Sequence, residues 1–213
     1  MIGGEKMAND KLDLAKLHKA DYAATASPRI LELAPALYLA VTGQGAPGGE
    51  EFGNKVGALY AVAFTTKMAR KAEGRDYAVG RLEGLWWCDD APGWEFAHAP
   101  RDQWQWKLLI RTPDFVTEAD VAAAARALLA RGKSEPVGEV RLEPLEEGTC
   151  VQVLHTGPYA EETETIRRMH AFAEAKGYAF DGVHHEIYLN DPKRTAPEKL
   201  RTILRHPIRP REG

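Results

Sequence analysis

The sequence has little of what would staple a fold or charge it strongly. It holds two cysteines, Cys88 and Cys150, and neither sits in a CxxC or His/Cys spacing, which argues against a disulfide framework and a zinc site. Basic residues are not in excess: 28 Lys and Arg against 31 Asp and Glu give a net charge of −3. That balance leaves no electrostatic footprint for a phosphate backbone, so nucleic acid is not an expected partner. No apolar run approaches the roughly 20 residues of a membrane-spanning helix, and the opening MIGGEKMANDKLDLAKLH lacks the uninterrupted apolar segment of a signal peptide. A cytoplasmic location without a membrane partner is therefore expected. The glycines between Gly43 and Gly49 are not followed by GK[ST], and no GxSxG elbow occurs. His184 and His185 would alternate faces on a strand, and His155, His170 and His206 show no ligand spacing, so neither a metal nor another cofactor is expected.

What the chain does have is an ordinary globular composition. Its 44% hydrophobic and 28% charged residues are enough to bury a core as one large domain or two small ones. One feature is uneven: all five tryptophans lie between Trp86 and Trp106.

Periodicity organises the rest. Leu37–Gly43 reads as a strand running into a glycine-rich loop, and Glu50–Lys71 as an amphipathic helix. That helix carries Phe52, Val56, Leu59 and Ala63 on one stripe and Tyr60, Phe64 and Met68 on its neighbour, and Gly74 is placed to end it. Tyr77–Cys88 and Gln103–Arg111 read as strands. The same order recurs in Cys150–Gly157 (strand), Glu161–Lys176 (helix, ended by Gly177), Gly182–Leu189 (strand) and Thr202–Pro207 (strand). Leu109-Ile110-Arg111-Thr112-Pro113 resembles Ile203-Leu204-Arg205-His206-Pro207, and Glu83 and Glu186 fall in corresponding strands. A duplicated strand-helix-strand-strand unit follows as an expectation. Residues 27–116 are the first copy, 117–132 a linking helix capped by Thr117, and 133–213 the second copy, opening with a strand over Glu139–Leu145. Residues 1–26 are expected to be an arm. The fold class is α+β, with helices covering one face of the sheet and a cavity at the seam between the copies.

Alternation on the strands selects candidate site residues. His184, Glu186 and Tyr188 share a face, so Glu186 lies beside an aromatic ring. Such a carboxylate serves as a base or acid if desolvated, or attracts a flat cation if ionised. Glu83 shares its face with Arg81 and is either its ion-pair partner or a second site carboxylate. Trp86 and Trp87 point to opposite faces, so one lines a cavity while the other packs or covers an edge. Trp106 shares a face with Trp104 and Leu108. Tyr159, after Gly157-Pro158 at a helix start, either staples the helix or reaches over the cleft, and Tyr38 is either a core ring or a pocket wall.

HTGPY at 155–159, GVHHEIYLNDP at 182–192 and PEKLRTILRHPI at 197–208, with VTGQGAPGGEEF, GRLEGLWW and WQWKLLIRTPDF in the first half, resemble the GyrI-like small-molecule-binding family. The resemblance implies two pseudo-symmetric βαββ units, duplicated SHS2-like modules, around a central ligand cavity. It is strongest for the free-standing branch, since no length or basic region is left for a helix-turn-helix module. That branch includes cyclopropanoid cyclopropyl hydrolases, which hold DNA-alkylating natural products such as yatakemycin and CC-1065 in an aromatic cage. By resemblance, Glu186 matches the family's pocket glutamate, and Trp86, Trp87 and Tyr159 are candidates for the cage; as a hydrolase, the chain is expected to use Glu186 to polarise water and the Tyr159 hydroxyl to bond the carbonyl that receives charge. Trp86, Trp87, Trp106, Tyr38, Glu83 and Tyr188 are expected to bind substrate. The expected partners are hydrophobic or cationic aromatic small molecules. A non-catalytic multidrug-binding or sequestering module is the alternative, and monomer and homodimer both stay open.

Overall fold

The computed structural model describes residues 11–91 and 93–211, apart from the side chains of residues 93, 94 and 97. Residues 1–10 of the expected arm, Pro92 and the Trp94 ring lie outside the described residues. In chain order the elements are α1 (Leu14–Leu17), β1 (Arg29–Leu33), β2 (Ala36–Gln44), α2 (Glu50–Ala72), β3 (Glu83–Trp87), β4 (Gln105–Thr112) and α3 (Glu118–Ala130). They continue with β5 (Arg141–Leu145), β6 (Gly148–Thr156), α4 (Glu162–Ala175), β7 (Tyr178–Phe180), β8 (His184–Tyr188) and β9 (Arg201–Pro210).

The strands form one sheet in the order β1-β6-β9-β8-β3-β4-β2-β5, with β7 beside β9, and each ladder is antiparallel. This is the mixed architecture expected, with α2 and α4 over one face. Leu59, Val62 and Ala63 of α2 bury against Leu39, Val41, Leu108 and Ile110, while Ile166, Met169 and Ala173 of α4 bury against Val151, Val153 and Leu204. Each fully buried Val, Leu, Ile or Met side chain among these contributes about 1.5–3 kcal/mol relative to exposure. Helix α3 packs its Val121, Ala124 and Leu128 into the α2 cluster.

Local chemistry explains the helix boundaries. The Thr117 hydroxyl accepts from the Asp120 backbone N–H while the Asp120 carboxylate accepts from that of Thr117, a complete capping box for α3. Helix α2 carries Glu50 and Glu51 in its first turn and Arg70 and Lys71 in its last, complementing the helix dipole. Gly74 and Gly177 adopt φ of 82° and 81° just past the ends of α2 and α4, a conformation in which other residues are strained.

Two expectations change. Only Glu83–Trp87 of the Tyr77–Cys88 segment pairs in the sheet; before it the chain crosses so close to β4 that a Cβ on Gly80 would lie 3.0 Å from the Arg111 carbonyl oxygen. Glu139 belongs to a 3-10 turn, Glu135–Glu139, and the strand begins at Arg141. The described part of the arm is docked on the sheet. Leu12 bridges to Tyr77, Gln152 donates to the Ala23 carbonyl at 2.8 Å, and Arg205 donates to that of Asp21 at 2.6 Å. The arm thus crosses the sheet face opposite the helices. Among the described residues no helix is long and apolar enough to cross a membrane.

Candidate functional site

The central pair β3 and β8 decides which side chains meet. Gly84 pairs with Glu186 and Trp86 with His184, so these residues, with Tyr188, project toward the helices. The other set, Glu83, Leu85 and Trp87 with His185 and Ile187, projects to the arm side.

On the helix side the site is a chain of hydrogen bonds under aromatic rings. Tyr188 Oη donates to Glu186 Oε2 at 2.8 Å, and Trp86 Nε1 donates to Tyr188 Oη at 3.1 Å. Gly84 makes room for this arrangement, since a Cβ there would lie 2.8 Å from Trp86 Nε1 and 3.1 Å from Tyr188 Oη. The Tyr159 ring stands edge-on to Tyr188 with centroids 5.7 Å apart, and at 38% exposure it is the open ring of the group. Phe52, in the first turns of α2, stacks on Trp86 at 5.9 Å and meets Trp106 edge-on at 5.2 Å. Trp104 closes on Trp86 from another side at 5.9 Å.

The chemistry of the site rests on two buried carboxyls. Glu162, in the first turn of α4, lies against Glu186, and both are largely buried. Burial lifts Glu186 to about 7, against the hydrogen bonds of Tyr188 and Glu162 that favour its ionised form. Burial and the Glu186 charge hold Glu162 well above the ordinary carboxyl range. At neutral pH the pair therefore holds a proton between two acids, and Glu186 is poised to accept or release one. Glu162 Oε1 has no hydrogen-bond partner among the described residues. His184 Nε2 is 3.7 Å from Glu186 Oε1; burial keeps this imidazole far below its usual range, hence neutral. Burial and the Glu186 charge also push the Tyr159 hydroxyl up to about 12, so it stays protonated as a donor.

Of the expected site residues, the structure brings together Glu186, Tyr159, Trp86 and Tyr188, and adds Glu162 and Phe52. Four others lie apart from this group. Trp106 is on the same face but fully buried beneath the others. Its indole N–H donates to the Gly45 carbonyl at 3.2 Å, and its ring lies where a Cβ on Gly43 would be. Glu83, Trp87 and Tyr38 lie on the arm side, because alternation along β3 and the β2 to β4 register put them there. Tyr38 and Trp87 pack with Ala40, Leu85 and Leu109 in a small apolar cluster.

Glu83 is a structural anchor. It accepts from the Tyr22 hydroxyl at 3.1 Å, and its Oε2 is 3.0 Å from His185 Nε2, rather than pairing with Arg81. The other ring nitrogen of His185 is 2.9 Å from Glu147 Oε1, and Arg205 donates to Glu147 Oε2 at 3.0 Å. Burial opposes charge on His185, yet Glu147 and Glu83 raise it to about 9. Among the described residues no three His, Cys, Asp or Glu side chains are grouped to hold a metal ion.

The sequence pattern of the GyrI-like small molecule binding domain matches residues 26–209. Two solved Listeria innocua structures are similar over 93% of this chain and 100% of theirs, each with 38% identity: a conserved protein with a TM-score of 0.86 and a protein described as a hydrolase with a TM-score of 0.83. The EcmrR C-terminal domain shares the fold, with a TM-score of 0.58 at 12% identity over 87% of this chain and 98% of its own. No match is found among curated proteins.

Proposed function

The chain belongs to the GyrI-like small-molecule-binding family, and from that membership we propose that it binds flat hydrophobic compounds among the rings of Trp86, Phe52, Tyr159 and Tyr188 and hydrolyses cyclopropanoid alkylators there. The observation that carries the hydrolytic reading is the Glu162–Glu186 pair, a buried acid titrating near neutrality beside aromatic walls. The hydrolase description of a 38% identical relative supports it.

In this reading Glu186 accepts a proton from water as the water oxygen bonds to the strained cyclopropane carbon. The carbon–carbon bond that breaks sends its electron pair through the conjugated system to the carbonyl oxygen, which becomes a phenolate and then a phenol on taking up a proton, balancing the one Glu186 removed from water. Tyr159, protonated and exposed, donates a hydrogen bond to that oxygen as charge develops. The sum is substrate plus one water giving a ring-opened alcohol, with relief of strain driving the step. The Tyr188 hydroxyl, already committed to Glu186, orients the base. Glu162 completes the acid pair by supplying or holding the exchanged proton.

The fold enters the same proposal as two βαββ copies, β2-α2-β3-β4 and β6-α4-β8-β9, joined at the β3 to β8 seam. The strand order supports this, since β6-β9-β8 and β3-β4-β2 run as mirrored triplets from that seam. The site then sits where the copies meet.

Incubating purified protein with a cyclopropanoid alkylator and following the ring-opened product by mass spectrometry tests the reading. Catalytic turnover lost in Glu186→Gln, with binding retained, is the expected result. The buried acid pair also suits a cationic aromatic that is held without reaction, and tight binding with no product would replace the hydrolase by that sequestering role.

A further inference from the structure

The rings around Glu186 continue along α2. Phe52, Val56, Tyr60, Phe64 and Met68 follow one another every four residues along α2. Four residues overshoot a 3.6-residue turn by about 40°, so this stripe winds outward as it climbs. Its exposure follows: Phe52 and Tyr60 are half-buried, whereas Phe64 is 54% and Met68 55% exposed. Large apolar side chains so placed on successive turns mark a contact surface more often than isolated exposed ones do.

Its continuity with the site identifies the occupant. Tyr60, Leu82 and Tyr188 pack against the same buried cluster as Phe52, and the Leu82 carbonyl accepts from the Tyr188 N–H at 3.1 Å. Tyr60 thus shares that cluster with the tyrosine that holds Glu186. Phe64 then extends the Tyr60 ring outward, stacked on it at 6.2 Å and 26°.

We propose that Tyr60 and Phe64, with Met68 at the outer edge, form a second ring subsite, so that this protein's preferred ligand is an elongated molecule with two separated ring systems. This rests on the ligand-binding reading above and adds the shape of the ligand. From Tyr60 to Met68 the helix rises about 12 Å, room for one further ring system beyond the one held near Glu186.

Fluorescence titration with acridine orange, which has one ring system, and with a bis-acridine dye, which has two joined by a flexible linker, tests the subsite. Wild-type protein is expected to favour the two-ring dye by about tenfold or more beyond the statistical factor of two, a gain consistent with covering the exposed parts of Phe64 and Met68. In Phe64→Ala/Met68→Ala, whose changes are at exposed positions, the advantage should vanish while affinity for acridine orange stays the same. An unchanged advantage, or equal weakening of both dyes, overturns the subsite. So does a wild-type dimer by sedimentation that becomes a monomer in the double variant, because a second copy then covers the stripe. If acridine orange itself fails to bind, or binds equally well to Trp86→Ala, the ligand-binding reading falls and takes the subsite with it. Tight one-ring binding without a two-ring gain removes the subsite alone.

Discussion

Glu83 and Glu186 occupy paired neighbouring strands, with Gly84 rather than Glu83 facing Glu186 across the ladder, so the two carboxylates leave the sheet from opposite sides. One meets rings and a second acid; the other meets His185 and the docked arm. Under the proposed function this division separates catalysis from stability and makes the two glutamates each other's control.

Glu186→Gln should lower turnover of a cyclopropanoid substrate by at least about 100-fold, the usual scale for a lost general base, with little loss of folded stability. Glu83→Gln should do the reverse. It removes one charged partner from a buried cluster, a change costing on the order of 3 kcal/mol, while acridine binding is retained. Urea denaturation and dye titration of both variants check the pairing. Equal loss of activity in both would mean that the far-side cluster takes part in the chemistry.

The pH dependence follows from burial of Glu186. Its carboxyl titrates near 7 in the folded protein against an ordinary 4.5, and a base must be unprotonated, so kcat/KM should rise with pH through about 7. Stability moves the other way. A carboxyl raised on folding supports the fold below about 4.5 and loses that contribution as pH rises through about 7. Glu186→Gln, which cannot ionise, should therefore melt above wild type at pH 8 and not at pH 4. A thermal melt series across this range decides it.

The contrast between these glutamates also shows what a one-dimensional pattern carries. Alternation along Gly182–Leu189 placed Glu186 with Tyr188 and apart from His185, and the structure agrees. The helices were legible from apolar spacing and caps, as at Thr117 and Gly177. The pairing of β3 with β8 was not, because a contact about a hundred residues apart depends on register, and register decides that Trp86 rather than Trp87 joins Glu186. Glu162 drew no reading of its own and Phe52 read only as a stripe residue; neither carries a local sign that it faces a distant strand. The short strand Arg29–Leu33 has adjacent apolar residues at Ile30 and Leu31, which break alternation and leave no strand pattern to read.

Gly84→Ala should perturb the site from within the sheet. The added methyl would lie 2.8 Å from Trp86 Nε1 and 3.1 Å from Tyr188 Oη, so the hydrogen bond joining them must open. Overpacking of this kind costs about 1–3 kcal/mol. Because the displaced groups orient Glu186, kcat should fall by more than the thermal stability implies. The activity pH profile is the telling measurement. A midpoint displaced from about 7 is expected; an unchanged midpoint would place the whole effect in stability.

Glu147 and His185 set the pH limits of the fold from the opposite face. Burial alone would raise Glu147, but His185 and Arg205 hold it down to about 2 from 4.5. Burial alone would lower His185, but Glu147 and Glu83 lift it to about 9 from 6.5. The depressed carboxyl contributes stability above about 4.5 that is lost as pH falls through about 2, and the raised imidazole contributes stability below about 6.5 that is lost as pH rises through about 9. Both describe largely one interaction, so their contributions do not add. The cluster supports the fold fully between about pH 4.5 and 6.5. His185→Gln should be less stable than wild type there, by on the order of 3 kcal/mol, and the gap should narrow as wild type itself loses the imidazolium at pH 9 to 10. Urea midpoints measured at pH 6 and pH 10 test this directly; curves for the two proteins that stay parallel would show that the imidazolium is not the source of the stability.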